Sequence, residues 1–200
     1  MPAAIDFYFD FSSPYGYFAS TRIDELAARH GRDTVWRPIL LGPVFKAVGT
    51  SPLVSYPIKG RYVAHDFARF ARLLGVPFTM PANFPFGAVA ASRAFYWIGD
   101  RDKARAKAFA QAVFRAGLGE GGDVTPVEMV VDLAARAGID GVALRAALAE
   151  AEVKQRLVRE VDQAMGRGVF GSPTVFVDGE MFWGADRLDQ VDRWLATGGW

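Results

Sequence analysis

The stretch Ile5-Asp6-Phe7-Tyr8-Phe9-Asp10-Phe11-Ser12-Ser13-Pro14-Tyr15 decides how the rest of the chain is read. Ile5, Phe7, Phe9 and Phe11 alternate with Asp6, Tyr8 and Asp10, the period of two that belongs to a strand, and Ser12-Ser13-Pro14 stops it. Past the stop, Tyr15, Phe18, Ala19, Ile23, Leu26 and Ala27 recur at helical spacing as far as Arg29, with Gly31 just beyond the end. Thr34 to Leu41 reads as a second strand. Strand, helix and strand in this order, if the strands are parallel, require the right-handed crossover of an α/β unit.

Outward from this unit, Gly42 to about Ser55 holds Gly42, Pro43, Gly49 and Pro52 among small polar residues and reads as a long connection. Helical patterns follow over 62–74, 87–97, 103–114, 126–137, 141–149 and 152–165, with stop signals at Gly75, Gly99, Gly117 and Gly138. The chain closes with an apolar run, Pro173 to Asp178, then Asp178-Gly179, then Met181 to Trp183. Asp-Gly between two such runs is a strong hairpin signal. A last amphipathic helix is expected from Arg187 to Leu195. The expectation is an α/β frame enclosing an all-helical block.

Composition narrows the function. Hydrophobic residues make up 51% of the 200 positions and charged residues 22%, so a sizeable core is available and disorder is excluded. The net charge of +1 shows no basic stripe, which argues against a nucleic-acid partner. No charge-free apolar stretch approaches the roughly 20 residues of a membrane span, and residues 1–10 do not read as a signal peptide, so a cytoplasmic protein is expected. The chain has no cysteine, which removes a disulfide framework, a cysteine nucleophile and thiolate metal sites. His30 and His65 lie far apart in the sequence, so no metal site is expected; His30 near a helix end complements the dipole.

Three short motifs could carry chemistry. Ser13-Pro14 sits at a strand-to-helix junction, where Ser caps and Pro opens a helix; the same place favours an anion, and would lower the pKa of a thiol. Gly171-Ser172-Pro173-Thr174 precedes the hairpin, with Pro173 either cis in a tight turn or trans at a strand start. Asp186, in Trp183-Gly184-Ala185-Asp186-Arg187, either caps the last helix or accepts from an ammonium group. Lys59 by itself reads as a solvated lysine. Gly117 to Gly122 lacks the Lys-Ser/Thr ending of a phosphate-binding loop.

Together, residues 6–15, Phe170-Gly171-Ser172-Pro173-Thr174-Val175-Phe176 and Trp183-Gly184-Ala185-Asp186-Arg187-Leu188 resemble the 2-hydroxychromene-2-carboxylate isomerase family, allied to kappa-class glutathione transferases and thioredoxin-fold disulfide oxidoreductases. The resemblance covers essentially the whole chain. It implies a thioredoxin-like domain from residues 1–42 and 168–200, with an inserted helical domain from 43–167. It also implies bound glutathione whose thiolate is stabilised by Ser13, and a reaction in which that thiolate adds reversibly to a conjugated substrate.

By the same likeness, Ser172 before Pro173 pairs through its backbone with the extended tripeptide, Ala185 and Asp186 hold its γ-glutamyl end, and Lys59 lies near its glycine end. Thr50 stands where kappa-class relatives use Asn, and Ala185 where they use Ser. Asn83, Phe84, Arg93 and Trp183 are the residues expected toward the second substrate, an aromatic or otherwise conjugated small molecule. A homodimer is implied. The alternatives are a kappa-like glutathione transferase or peroxidase, and a non-catalytic binding module of the same fold.

Overall fold

The computed structural model describes residues 3–200. Strand β1 (Ile5–Phe9) is followed by helices α1 (Pro14–Ser20) and α2 (Ile23–Arg29), then β2 (Thr34–Pro38) and α3 (Leu41–Val48). Helices α4 (Pro57–Leu74), α5 (Val89–Gly99), α6 (Lys103–Phe114), α7 (Val127–Arg136), α8 (Gly141–Ala149) and α9 (Ala151–Gly166) come next. The chain returns through β3 (Thr174–Val177) and β4 (Glu180–Trp183) to α10 (Leu188–Thr197). The sheet order is β2-β1-β3-β4, with β1 parallel to β2 and the other pairs antiparallel. This is the expected α/β frame, with helices α4 to α9 enclosed between β2 and β3 along the chain.

The alternation in β1 sorts its side chains between two faces. Phe7 and Phe9 turn to one face, where Phe9 meets Phe95 of α5 and Phe114 of α6 at centroid distances of 6.1 and 5.4 Å. Asp6 and Tyr8 turn to the other, where Arg167 donates to both at 2.7 Å. Phe7, Phe9, Phe11, Phe18, Phe109 and Phe114 are all fully buried, each stabilising by roughly 1.5 to 3 kcal/mol.

The structure departs from the sequence expectation in several places. The single helix expected over 15–29 is two, because Ser20 and Thr21 turn their hydroxyls onto the carbonyls of Tyr17 and Phe18, and Arg22 leaves helical geometry. The connection from Gly42 to Ser55 contains α3, a 3-10 turn at Leu53–Ser55 and a left-handed Gly49 that ends α3. Helix α4 starts at Pro57, five residues before the periodic pattern becomes visible at Tyr62. Strand β1 ends at Phe9 rather than Phe11, since the Asp10 carboxylate takes the Ser12 amide at 2.8 Å and turns the chain. The hairpin falls where Asp178-Gly179 places it, with φ of 52° and 95°. Among the described residues no helix is long and apolar enough to cross a membrane.

Candidate functional site

Ser13 is the N-cap of α1: its Oγ accepts from the Gly16 amide at 3.0 Å, and Pro14 opens the helix. The same hydroxyl donates to the backbone oxygen of Ser172 at 3.1 Å. The cap does not use up the hydroxyl, which also ties the first motif to the second. Ser13 is 6% exposed, so both bonds lie in a largely dry environment.

Beneath it, Asp10 is 3% exposed and accepts from Ser12 N at 2.8 Å, Ser12 Oγ at 2.9 Å and Leu41 N at 2.6 Å. One carboxylate thus ties the turn before α1 to the start of α3. Burial pushes its carboxyl above the ordinary value, and the donated bonds from Ser12 and Leu41 offset part of the rise. The Asp10 amide donates to Ser172 Oγ at 2.9 Å. Gly16 lets these segments meet: a Cβ there would stand 2.8 Å from Ser172 Oγ and 3.2 Å from Ser13 Cβ.

The peptide bond between Ser172 and Pro173 is cis, which resolves the alternative left open by the sequence. The Pro173 carbonyl accepts from Gly184 N at 3.0 Å, and so binds the third motif to the second. Gly184 has φ +118°, and a Cβ there would collide with the Asp186 carboxylate, so the turn requires glycine. Ala185 is buried, whereas Asp186 is exposed and pairs with Arg187 at 2.9 Å. Asp186 does not cap α10: no cap bond forms, and Ala185–Arg187 is a 3-10 turn ahead of that helix.

Tyr15, in the first turn of α1, donates its hydroxyl to Asp66 of α4. Burial, then that bond to Asp66, pushes the phenol well above its usual range, and the charge of Asp186 adds to the rise. Tyr15 also packs against Phe67 at 5.0 Å, which fixes α4 against α1. At the start of α4, Lys59 lies over the Tyr56 ring at 5.2 Å, and the hydroxyls of Thr50 and Tyr56 are 3.2 Å apart. Phe84 stacks edge-on to Phe67 at 6.3 Å, within this aromatic wall.

The remaining expected residues scatter. Asn83 is exposed and donates to Asp123 at 2.9 Å. Arg93 lies in a crevice of about 70 Å³ between α5 and α9, lined by Tyr96, Trp97, Asp100, Glu152 and Arg156, none of which belongs to the segments around Ser13. Trp183 is half exposed, rests on Phe170 at 4.8 Å and covers Gly171, so it borders the Ser172-Pro173 turn. His30 does follow α2, where its ring meets Asp192 at 2.7 Å.

Asp10, Gly16 and Phe170 join the site without having been singled out in the sequence. For Asp10 the signal is Asp-x-Ser, the spacing of a side-chain-capped turn. For Gly16 it is a glycine inside an otherwise good helical pattern.

Over residues 4–196 the chain matches the DsbA-like thioredoxin domain. It is 33% identical over 190 residues to 2-hydroxychromene-2-carboxylate isomerase of Pseudomonas putida, covering 94% of this chain and 92% of the relative. Glutathione S-transferase kappa 2 of Caenorhabditis elegans is 27% identical, with 96% and 91% covered. A solved structure of 2-hydroxychromene-2-carboxylate isomerase superposes with a TM-score of 0.88 at 32% identity, over 96% of this chain and 94% of that one. This chain therefore belongs to the DsbA-like thioredoxin family, in the group that contains the 2-hydroxychromene-2-carboxylate isomerases.

Proposed function

We propose that the protein is a glutathione-dependent cis–trans isomerase of a conjugated substrate derived from an aromatic compound. The observation that carries this reading is the Ser13 hydroxyl at the head of α1, turned toward the Ser172-Pro173 turn in a chain without cysteine. Glutathione brings the thiol that the chain lacks. Its thiolate is held by the Ser13 hydroxyl, its backbone lies along Ser172 and Pro173, its γ-glutamyl end reaches Ala185 and Asp186, and its glycine end reaches Lys59 and Thr50.

The thiolate forms a C–S bond with a conjugated carbon, and the electron pair moves to the carbonyl oxygen. The former double bond is now single and rotates. The pair then returns, the double bond re-forms and the C–S bond breaks, so glutathione leaves unchanged. Covalent catalysis here divides one difficult rotation into easier steps. Phe84, Asn83 and Trp183 are assigned to the substrate side, with Arg93, in a crevice lined by none of the segments around Ser13, as a more distant member.

The 1–42 and 168–200 segments form the thioredoxin-like unit that carries Ser13, Ser172, Pro173, Ala185 and Asp186 in this reading, and 43–167 the insertion, which adds Thr50 and Lys59. Reduced glutathione is the required form, which suits the reducing poise of a cytoplasm; the homodimer rests on the family resemblance alone. A kappa-like transferase is the second reading, favoured by the kappa relative's similarity over nearly the whole chain.

Titration calorimetry with reduced glutathione is the first test, followed by turnover of 2-hydroxychromene-2-carboxylate with glutathione quantified before and after. Isomerisation with glutathione unconsumed supports the proposal. Consumption favours the transferase, and no glutathione binding overturns both.

A further inference from the structure

The Ser172 side chain does something that its place in the sheet does not require. Ile5 donates to Asp33 and Phe9 accepts from Ile39, so the odd residues of β1 turn their amides and carbonyls toward the β2 side. The even residues face β3. The β1–β3 register pairs Asp6 with Phe176 and Tyr8 with Thr174, and continuing it by two residues sets Asp10 opposite Ser172. In a regular antiparallel ladder the Asp10 amide would next bond the Ser172 carbonyl.

It does not. The Asp10 amide goes to Ser172 Oγ at 2.9 Å, and the Ser172 carbonyl takes the Ser13 hydroxyl instead, at 3.1 Å. The side-chain oxygen has replaced the backbone oxygen in the ladder and released it toward Ser13. Asp10 is almost wholly buried, so its amide needs an acceptor from within the protein.

From this exchange we infer that Ser172 is a positioning residue for Ser13, acting through its side chain; the inference rests on the glutathione reading given above. Without the hydroxyl, the carbonyl becomes the one oxygen on residue 172 that can satisfy the Asp10 amide, and it is drawn back toward β1. Ser13 then loses the acceptor that fixes the direction of its O–H, while the Gly16 amide still holds the oxygen in place. The bond it loses is a long one for O–H···O, where 2.7 to 2.8 Å is typical, so the proton is held in direction yet released readily to a better acceptor. A thiolate is such an acceptor. Gly16 keeps the corner open, since its missing Cβ is what lets Ser172 Oγ come so close to α1.

The test compares Ser172→Ala and Ser172→Thr with the unsubstituted protein. In the absence of glutathione, the Asp10 amide should stay protected from exchange in both variants, because in Ser172→Ala the carbonyl of residue 172 takes over its bond; faster exchange of that amide in Ser172→Ala than of the Ile5 amide would mean that the carbonyl had not moved, and would overturn the inference. With glutathione, Ser172→Ala should lower kcat about tenfold while KM for glutathione stays within about twofold, the signature of a lost interaction made at the reacting atom. The bound thiol should titrate roughly one unit higher, the shift equivalent to a tenfold loss of thiolate stabilisation. Ser172→Thr should recover both.

A lower melting temperature with unchanged kcat and thiol titration would reduce Ser172 to a structural residue and overturn the inference. If the unsubstituted protein binds no glutathione, the parent reading fails and this one with it. If it binds and turns over while both variants match it, only the positioning role is lost.

Discussion

Gly16 and Ser13 show how tightly single positions are constrained here. In an ordinary helix interior, replacing glycine by alanine stabilises by roughly 0.5 to 1 kcal/mol. At Gly16 the added Cβ would stand 2.8 Å from Ser172 Oγ and 3.3 Å from the Asp10 carbonyl, and the second of these is backbone that does not swing aside. Overpacking of this kind costs about 1 to 3 kcal/mol, so Gly16→Ala should lower the melting temperature, and a rise would contradict the close approach. Ser13→Ala removes both a cap, worth about 0.5 to 2 kcal/mol, and the proposed donor to the thiolate. A hydrogen bond to a charged group contributes roughly 1.5 to 3 kcal/mol, so turnover should fall about 10- to 100-fold while glutathione affinity falls less. Equal losses in kcat and in affinity would leave Ser13 as a cap alone. Steady-state kinetics paired with calorimetry separates these outcomes.

Helices α2 and α10 are joined by Asp192, which bonds His30 at 2.7 Å and Arg29 at 3.1 Å. The bond from His30, then that from Arg29, holds its carboxyl below the ordinary range. A carboxyl depressed in the folded state stabilises above its unfolded pKa, about 3.9, and that contribution is lost as pH falls through the folded value. Asp192→Asn should therefore be slightly less stable at pH 7, by about 0.2 to 1 kcal/mol for so exposed a pair, with the gap closing in denaturant titrations below about pH 4. A gap that persisted there would assign the effect to something other than charge. The elements that the sequence showed plainly were those whose signal is periodic or chemical: β1 through its alternation, and the β3–β4 hairpin through Asp178-Gly179. Helix α3 was hidden because Gly42 and Pro43 look like loop residues. They lie in the first turn, where a missing amide costs nothing, since the first four amides of a helix have no partner within it. The break at Thr21 was hidden too, because it depends on which way two hydroxyls turn rather than on hydrophobic spacing. The candidate site divides in the same way. Ser13, Ser172-Pro173 and Gly184–Arg187 stand out as motifs and meet in space, whereas the burial of Asp10 and the Arg93 crevice depend on packing between distant segments.

At the scale of the molecule, the helical insertion and the α/β frame share one aromatic core. Phe114 of α6 contacts Phe9, Phe11 and Tyr17 at 5.4, 5.1 and 5.8 Å, and Lys107 of the same helix bonds Asp24 at 3.0 Å and Thr34 at 2.6 Å. Tyr96 of α5 adds a bond to the Pro38 carbonyl at 2.8 Å. Neither part can lose its packing alone, so calorimetry should show one unfolding transition, and Phe114→Ala should shift it as a whole, at a cost of about 3 to 5 kcal/mol. Two separated transitions would mean that the insertion folds by itself. The placing of Trp183 has an optical consequence. Of the chain's five indoles, Trp36 is buried, Trp97 lies under the Arg101 guanidinium at 3.8 Å, and Trp194 and Trp200 pack on each other at 5.1 Å. Trp183 alone borders the Ser172-Pro173 turn, half in water, with Phe170 against one side. Its emission is the part of the intrinsic fluorescence that a molecule settling beside that turn would shift to the blue, and the difference spectrum against Trp183→Phe isolates it without any attached dye.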